Sequence, residues 1–243
     1  MSRLAVVTGA SSGIGEATAL RLAREDGLRL VLVARREDRL RAIAEQIGGG
    51  ATYVAADLTA PDAPARVREH VDGLGEPLGL LVNNAGAGWR AKFADGGYEN
   101  VRRTMEINFD AVLRLTEALL PLLRAAAPSA IVNVSSTAGR VARGGSGAYS
   151  ASKFALIGWS DGLHAEEKPN GIHVGMVLPG FVTTELQGHN TNPVVRRATE
   201  RSREQIGEVL KAEDIAYEIV HAVSRPSHVC VNEVVVRPTG QAR

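Results

Sequence analysis

Only one cysteine, Cys230, stands among the 243 residues. A single thiol forms no internal disulfide, so a cross-linked secreted scaffold is excluded. Aromatic residues make up only 4% of the chain while apolar residues as a whole reach 44%. Ala, Val, Leu and Gly therefore carry the core, which suits helices packed closely on a parallel sheet. Neither sign of charge dominates, with Lys+Arg at 28 against Asp+Glu at 27. A nucleic-acid or anionic-membrane partner is not expected from that balance. No apolar run approaches the length of a membrane span. The first residues, MSRLAVVTGA, already read as a strand entering a turn, so no signal peptide is expected. The expectation is a soluble, cytoplasmic protein. The six histidines form no metal-like cluster, and no metal is expected.

What is present is a regular alternation. Apolar, β-branched runs occur at 4–8, 29–34, 51–56, 79–83, 130–135, 172–178 and 229–236. Most are continuous rather than alternating, the mark of strands covered on both faces. Helical patterns fall between them, near 14–26, 37–47, 61–73, 99–125, 149–168 and 212–224. Strand–helix alternation along the whole length predicts an α/β fold, one doubly wound parallel sheet of about seven strands in a single domain, 1–243. Cys230 is expected inside the last strand as a buried apolar residue. The stretch 179–210 breaks the rhythm, being polar and rich in Gly and Pro. A connection of that length predicts a substrate-binding loop or lid, with room for a short helix. Arg196, Arg197, Arg201 and Arg203 alternate there with Glu200 and Glu204, which reads as a solvated helix face.

The first strand runs into TGASSGIG, with glycines at 9, 13 and 15 and a helix at once after them. Gly9 lets the chain leave the strand sharply. Gly13 removes a side chain where backbone must approach a pyrophosphate. Gly15 lets the helix pack on the sheet, and the helix N-terminus offers free N–H groups to phosphate. No Gly-Lys-Ser/Thr follows, which argues against a nucleotide triphosphatase. The second strand ends Val33-Ala34-Arg35-Arg36, where NAD sites carry an acidic residue. Guanidinium binds phosphate bidentately, so Arg35 points to NADP(H). Arg36 fits a solvated helix start better. The long helix near 99–125 carries an inward stripe of Val101, Met105, Asn108, Val112, Leu115, Leu119 and Leu122. Asn108 on that stripe is either a core amide tied to a backbone carbonyl or the holder of a water or a catalytic lysine. Pro121 is expected to kink or end the helix.

Tyr149 and Lys153 are four residues apart at the start of a predicted helix and share a face. A phenol titrates near pH ~10, and a neighbouring ammonium lowers that value. Such a pair can give a proton to a carbonyl oxygen or take one from an alcohol. Ser135 and Ser136 stand where the preceding strand ends, the edge at which open parallel sheets collect ligands.

Together these motifs resemble the short-chain dehydrogenase/reductase family, in its compact single-domain branch. TGASSGIG is similar to that family's TGxxxGxG, Asn83-Asn84-Ala85-Gly86 to its NNAG, YSASK to its YxxxK, and Pro179-Gly180-Phe181-Val182-Thr183-Thr184 to its PGxVxT. The resemblance covers nearly the whole chain. It implies a Rossmann-type sheet of order 3-2-1-4-5-6-7 and a hydride transfer between NADP(H) and a small-molecule carbonyl or secondary alcohol. Tyr149 would be the acid/base, Lys153 its partner and the holder of the nicotinamide ribose, and Ser136, thirteen positions before the tyrosine, the substrate's hydrogen-bonding serine. Asn108 would anchor Lys153 through water. The implied cofactor contacts are Gly9, Ser11, Ser12, Gly13, Ile14, Gly15, Arg35, Arg36, Asp57, Leu58, Asn83, Ala85, Gly86, Tyr149, Lys153, Pro179, Gly180, Val182 and Thr184. NNAG would support the sheet and border the adenosine, and PGxVxT would meet the nicotinamide. A homodimer or homotetramer built on two long helices is implied too, to which Ala151, Ala155, Gly158 and Gly162 are suited. Trp89, Leu186 and His189 are candidates for the substrate pocket. A non-catalytic NADP(H)-binding redox sensor is the alternative, although such a protein has no need of both Tyr149 and Lys153. A sugar-nucleotide epimerase of the extended branch fits neither the chain length nor the glycine spacing.

Overall fold

The computed structural model describes residues 2–25, 27–190 and 193–242; of Gln187 and His189 only the backbone is described. His189 as a pocket candidate thus lies outside the described side chains. Seven strands form one parallel sheet: β1 (Arg3–Thr8), β2 (Leu28–Ala34), β3 (Thr52–Ala55), β4 (Leu78–Asn83), β5 (Ser129–Val134), β6 (Ile172–Pro179) and β7 (Glu233–Val236). Their order is β3-β2-β1-β4-β5-β6-β7, as expected. The continuous apolar runs do bury both faces. Along β1, Leu4 and Val6 enter one core while Ala5 and Val7 enter the other, all four fully buried. Such runs are stable only under two helical layers, because successive strand residues point to opposite faces.

One layer comprises α3 (Ala63–Gly73), α5 (Ala111–Ala125) and α6 (Gly147–Glu167); the other comprises α1 (Gly13–Leu22), α2 (Glu37–Ile47) and α8 (Ala212–Val223). The sheet reverses winding between β1 and β4, and the C-terminal ends of the strands there open a crevice.

The helix near 99–125 is not one uninterrupted α-helix. It divides into α4 (Phe93–Met105), a π turn (Glu106–Asp110) and α5. The inward stripe is accordingly Asn100, Thr104, Asn108, Val112, Leu115, Leu119 and Leu123, whereas Val101, Met105 and Leu122 are only half-buried. A π turn inserts a residue, so a strict 3.6-residue count drifts off the buried face on either side of it. Pro121 neither ends nor breaks α5, which continues to Ala125 with the proline on its exposed side.

Two further expectations are corrected. The last strand begins at Glu233, not 229, and every residue of β7 is at least partly exposed. The preceding segment crosses β6 closely enough that a Cβ at Gly175 would stand 2.5 Å from the Val231 carbonyl oxygen. Cys230 is therefore half-buried in a loop rather than buried in a strand. The stretch 179–210 holds a substantial helix, α7 (Pro193–Ile206), with no buried residue, after a short 3-10 turn (Glu185–His189). Its base is closed by the Thr183 N–H on Leu210 O and the Leu210 N–H on Phe181 O. No helix among the described residues is long and apolar enough to cross a membrane.

Candidate active site

The crevice is a cavity of about 730 Å³ running from the Gly-rich turn past the ends of β1, β4 and β5 to the 179–190 segment. Gly9 and Gly13 adopt φ of 65° and 58°, the left-handed region that glycine occupies without a Cβ penalty. A Cβ at Gly15 would lie 2.3 Å from Gly9 O, so the turn folds directly onto the first turn of α1. Ser12 occupies the N-cap of α1 without capping it. Its hydroxyl instead accepts from Arg36 Nη2 at 2.7 Å. Arg36 also donates to Ser11 Oγ and to Glu185 at 2.8 Å. Arg36, expected at a solvated helix start and, through the resemblance, at the cofactor, thus braces the Gly-rich turn against the 185–189 turn. Arg35 lies on the cavity wall, and its charge acts on the carboxyl of Asp57. Partial burial pushes that carboxyl up, but hydrogen bonds from Thr59 and the Arg35 charge together hold it below the usual carboxylate range.

Thr8 staples the Gly-rich turn to the β4 loop. Its buried hydroxyl donates to Val82 O and accepts from the Asn84 and Ala85 N–H groups at 2.9 and 3.0 Å. Asn84 returns a bond from its amide to Thr8 O at 2.9 Å. Both residues stand in motifs quoted from the sequence, TGASSGIG and NNAG, but without individual roles, because an inward threonine at a strand end carries no pattern of its own.

At the other end of the cavity, Tyr149 and Lys153 sit on the first turns of α6 and are 7% and 5% exposed. Ser136 stands close enough to the Tyr149 phenol to act on its titration, while its own hydroxyl donates to Pro179 O at 3.4 Å. Ser136 Oγ also receives the Ala138 N–H at 3.1 Å. Ser135 turns away, donating to Lys153 O at 3.2 Å. Lys153 Nζ donates to Val134 O at 2.9 Å and lies 5.9 Å from the Tyr149 ring centroid. Burial pushes the Tyr149 phenol up from its ordinary value, with Ser136 and the Arg90 charge opposing. Burial also lowers the Lys153 ammonium to about 8. Desolvation, the largest influence on the phenol, thus runs against the lowering expected from a neighbouring ammonium.

Asn108 is fully buried on the π turn. Its Oδ1 accepts the Ala87 N–H at 2.8 Å; its Nδ2 donates to Ala87 O at 2.9 Å and Ser152 Oγ at 3.1 Å. No direct bond reaches Lys153. All the residues expected at the site line the cavity except Gly15 and Asn83. Asn83 points inward instead, donating to Thr116 Oγ1 and Asn133 Oδ1. Leu186 and Trp89 line it as expected, and so does Arg90, which the sequence reading passed over. Among the described residues no cluster of side chains suits a metal ion.

The family model described as short chain dehydrogenase matches residues 3–194. An oxidoreductase of Staphylococcus epidermidis is 34% identical over 237 residues, 97% of either chain. Among solved structures, an alcohol dehydrogenase of the archaeon Thermococcus sibiricus, complexed with 5-hydroxy-NADP, superposes with a TM-score of 0.87 at 26% identity, covering 100% of this chain and 99% of that one. A variant of actinorhodin polyketide ketoreductase with NADPH gives 0.86 at 27% identity, over 98% and 96% of the two chains. The sheet order, the glycine turn, the Tyr149–Lys153 helix and these likenesses lead to one assignment: the chain belongs to the short-chain dehydrogenase family and is an oxidoreductase.

Proposed function

We propose that the protein is an NADP(H)-dependent carbonyl reductase, or secondary-alcohol dehydrogenase in reverse, with Tyr149 as its general acid/base. The observation that carries this is that the buried Tyr149, Ser136 and Lys153 line the same cavity as the Gly-rich turn. The residues present fit the dinucleotide. The left-handed Gly9 and Gly13 and the uncapped start of α1 make a phosphate cradle without side chains. Arg35 and Arg36, at the end of β2, suit a 2′-phosphate, and the two solved relatives above carry NADP-type cofactors. Lys153 would hold the nicotinamide ribose, and 179–184 would meet the ring. When bound, the cofactor supplies the hydride.

The chain's own part is positioning and proton transfer. Ser136 and Tyr149 donate hydrogen bonds to the carbonyl oxygen, which stabilises the charge that grows there. Tyr149 then releases its proton to that oxygen. Burial keeps the phenol protonated at neutral pH, the form needed for reduction. Lys153, charged below about 8, stabilises the phenolate left behind. Asn108 holds the 87 loop against α6 through Ala87 and Ser152, and thereby positions the helix that carries Tyr149 and Lys153. The exposed Phe154, with Gly158 and Gly162 facing open space, supports a homodimer or homotetramer through α6.

Tyr149→Phe tests the reading. NADPH binding, followed by fluorescence titration, is expected to persist, while the rate of NADPH oxidation on a carbonyl panel falls about 10²- to 10⁴-fold. Turnover close to wild type in the variant sinks the role.

A further inference from the structure

Tyr149 has two cations beside its ring. Lys153 Nζ and the Arg90 guanidinium each lie 5.9 Å from its ring centroid. Lys153 is spoken for by Val134 O. Arg90 is not: its backbone N–H donates to Asn190 Oδ1 at 2.7 Å, but its guanidinium makes no hydrogen bond or ion pair among the described residues. The carboxylates nearby on the wall are already engaged. Glu106 pairs with Arg102, and Glu185 with Arg36 and Arg39. Arg103 donates to Asn100 Oδ1 and stacks on Trp89. Arg90 is thus a half-buried guanidinium fork in the cavity wall whose five N–H donors have no partner among the described residues.

Its place is fixed rather than incidental. Asn190 bridges the chain on both sides of Trp89, accepting from Arg90 N–H and donating to Gly88 O at 2.7 Å. Leu186 packs onto Gly88 so closely that a Cβ there would lie 2.8 Å from Leu186 Cδ2. The 186–190 segment therefore clamps the backbone that presents Arg90 to the tyrosine. A planar guanidinium with free donors matches a carboxylate bidentately.

We propose that the substrate is a keto acid, or the hydroxy acid in reverse, whose carboxylate docks on Arg90 while its carbonyl oxygen meets Tyr149 and Ser136. The inference rests on the assignment of Tyr149 as the group that meets that oxygen. The carboxylate stands one to three bonds from the reacting carbon, so that both ends fit one cavity. A competing role for Arg90 is to act on the Tyr149 phenol alone, whose ionisation its charge favours. The two roles separate by substrate.

The experiment measures initial rates with NADPH for pyruvate, acetoacetate and levulinate, and for the methyl ester of each, with the wild-type protein, Arg90→Met and Arg90→Lys. The wild type is expected to prefer at least one acid over its ester. Arg90→Met should lower kcat/KM for that acid about 10- to 100-fold, chiefly through KM, and the ester's by much less. Arg90→Lys should recover part of the loss, which also shows that the site still folds. An equal loss on acid and ester, with the pH profile of kcat displaced upward, overturns the inference in favour of the phenol-directed role. Turnover of esters or other neutral carbonyls with no acid preferred overturns it as well, and leaves the reductase reading standing. No turnover of any carbonyl by the wild type removes that reading and this inference together.

Discussion

Burial drives Tyr149 and Lys153 the same way, toward their neutral forms, although one is an acid and the other a base. For Lys153 the consequence is a pH-dependent stability. Its folded value is about 8 against an ordinary 10.5, so between those values the unfolded chain holds a proton that the folded chain has lost. Stability contributed through this group therefore rises with pH from about 8 to 10.5, and the whole cost is present below about 8. That cost is on the order of 3 kcal/mol. Lys153→Met is expected to gain more thermal stability relative to wild type at pH ~6.5 than at pH ~9.5, by about 5 °C in Tm. An equal difference at both pH values would show that the ammonium is solvated. Arg35 makes a second residue-scale prediction. Arg35→Asp adds a carboxylate near Asp57 and removes the guanidinium, so kcat/KM with NADPH should fall about 100-fold while that with NADH holds or rises. Parity of NADH and NADPH in the wild type would refute the assignment. The Tyr149–Lys153 pair itself is visible in the sequence as a four-residue spacing. Its desolvation is not, because burial depends on the β5 and β6 loops that fold over it.

At the scale of elements, the helices are joined to the sheet by a buried chain of amides and hydroxyls. Thr116 on α5 accepts from Asn83 on β4; Asn83 donates to its register partner Asn133 on β5 at 2.9 Å; and Asn133 donates to Ser160 on α6 at 2.8 Å. All four residues are buried. This is why Asn83 lies beneath the cavity rather than on its wall. Asn133→Leu keeps the volume and deletes both bonds, leaving Asn83 and Ser160 short of partners. A loss of about 2–4 kcal/mol in denaturant unfolding is expected, with no change in m-value. A loss below about 0.5 kcal/mol would mean that water or rearrangement satisfies the amides. Strand and helix positions were legible to within a few residues, since continuous apolar runs and 3.6-residue stripes arise from the same burial they predict. The π turn was not, since an inserted residue shifts the stripe without leaving a signature. Nor was the late start of β7, which follows from the close crossing at Gly175.

Across the molecule, the 179–210 excursion ties the two ends of the cavity together. Glu185 reaches Arg36 and Arg39 beside the Gly-rich turn, and their guanidinium groups hold its carboxyl down at about 2. Asn190, on the same segment, holds Gly88 and Arg90 beside the tyrosine. The sequence by itself determined the layered sheet, its strand order through the family resemblance, the glycine cradle, and the spacing of Tyr149 and Lys153, because each is written in local pattern or motif. Only the tertiary structure decided that Ser135 turns to Lys153 O, that Arg36 braces the glycine turn, and that Arg90 stands beside the Tyr149 ring. Those outcomes depend on which distant residues occupy the remaining space and which charges are already paired, and the linear chain carries no record of either.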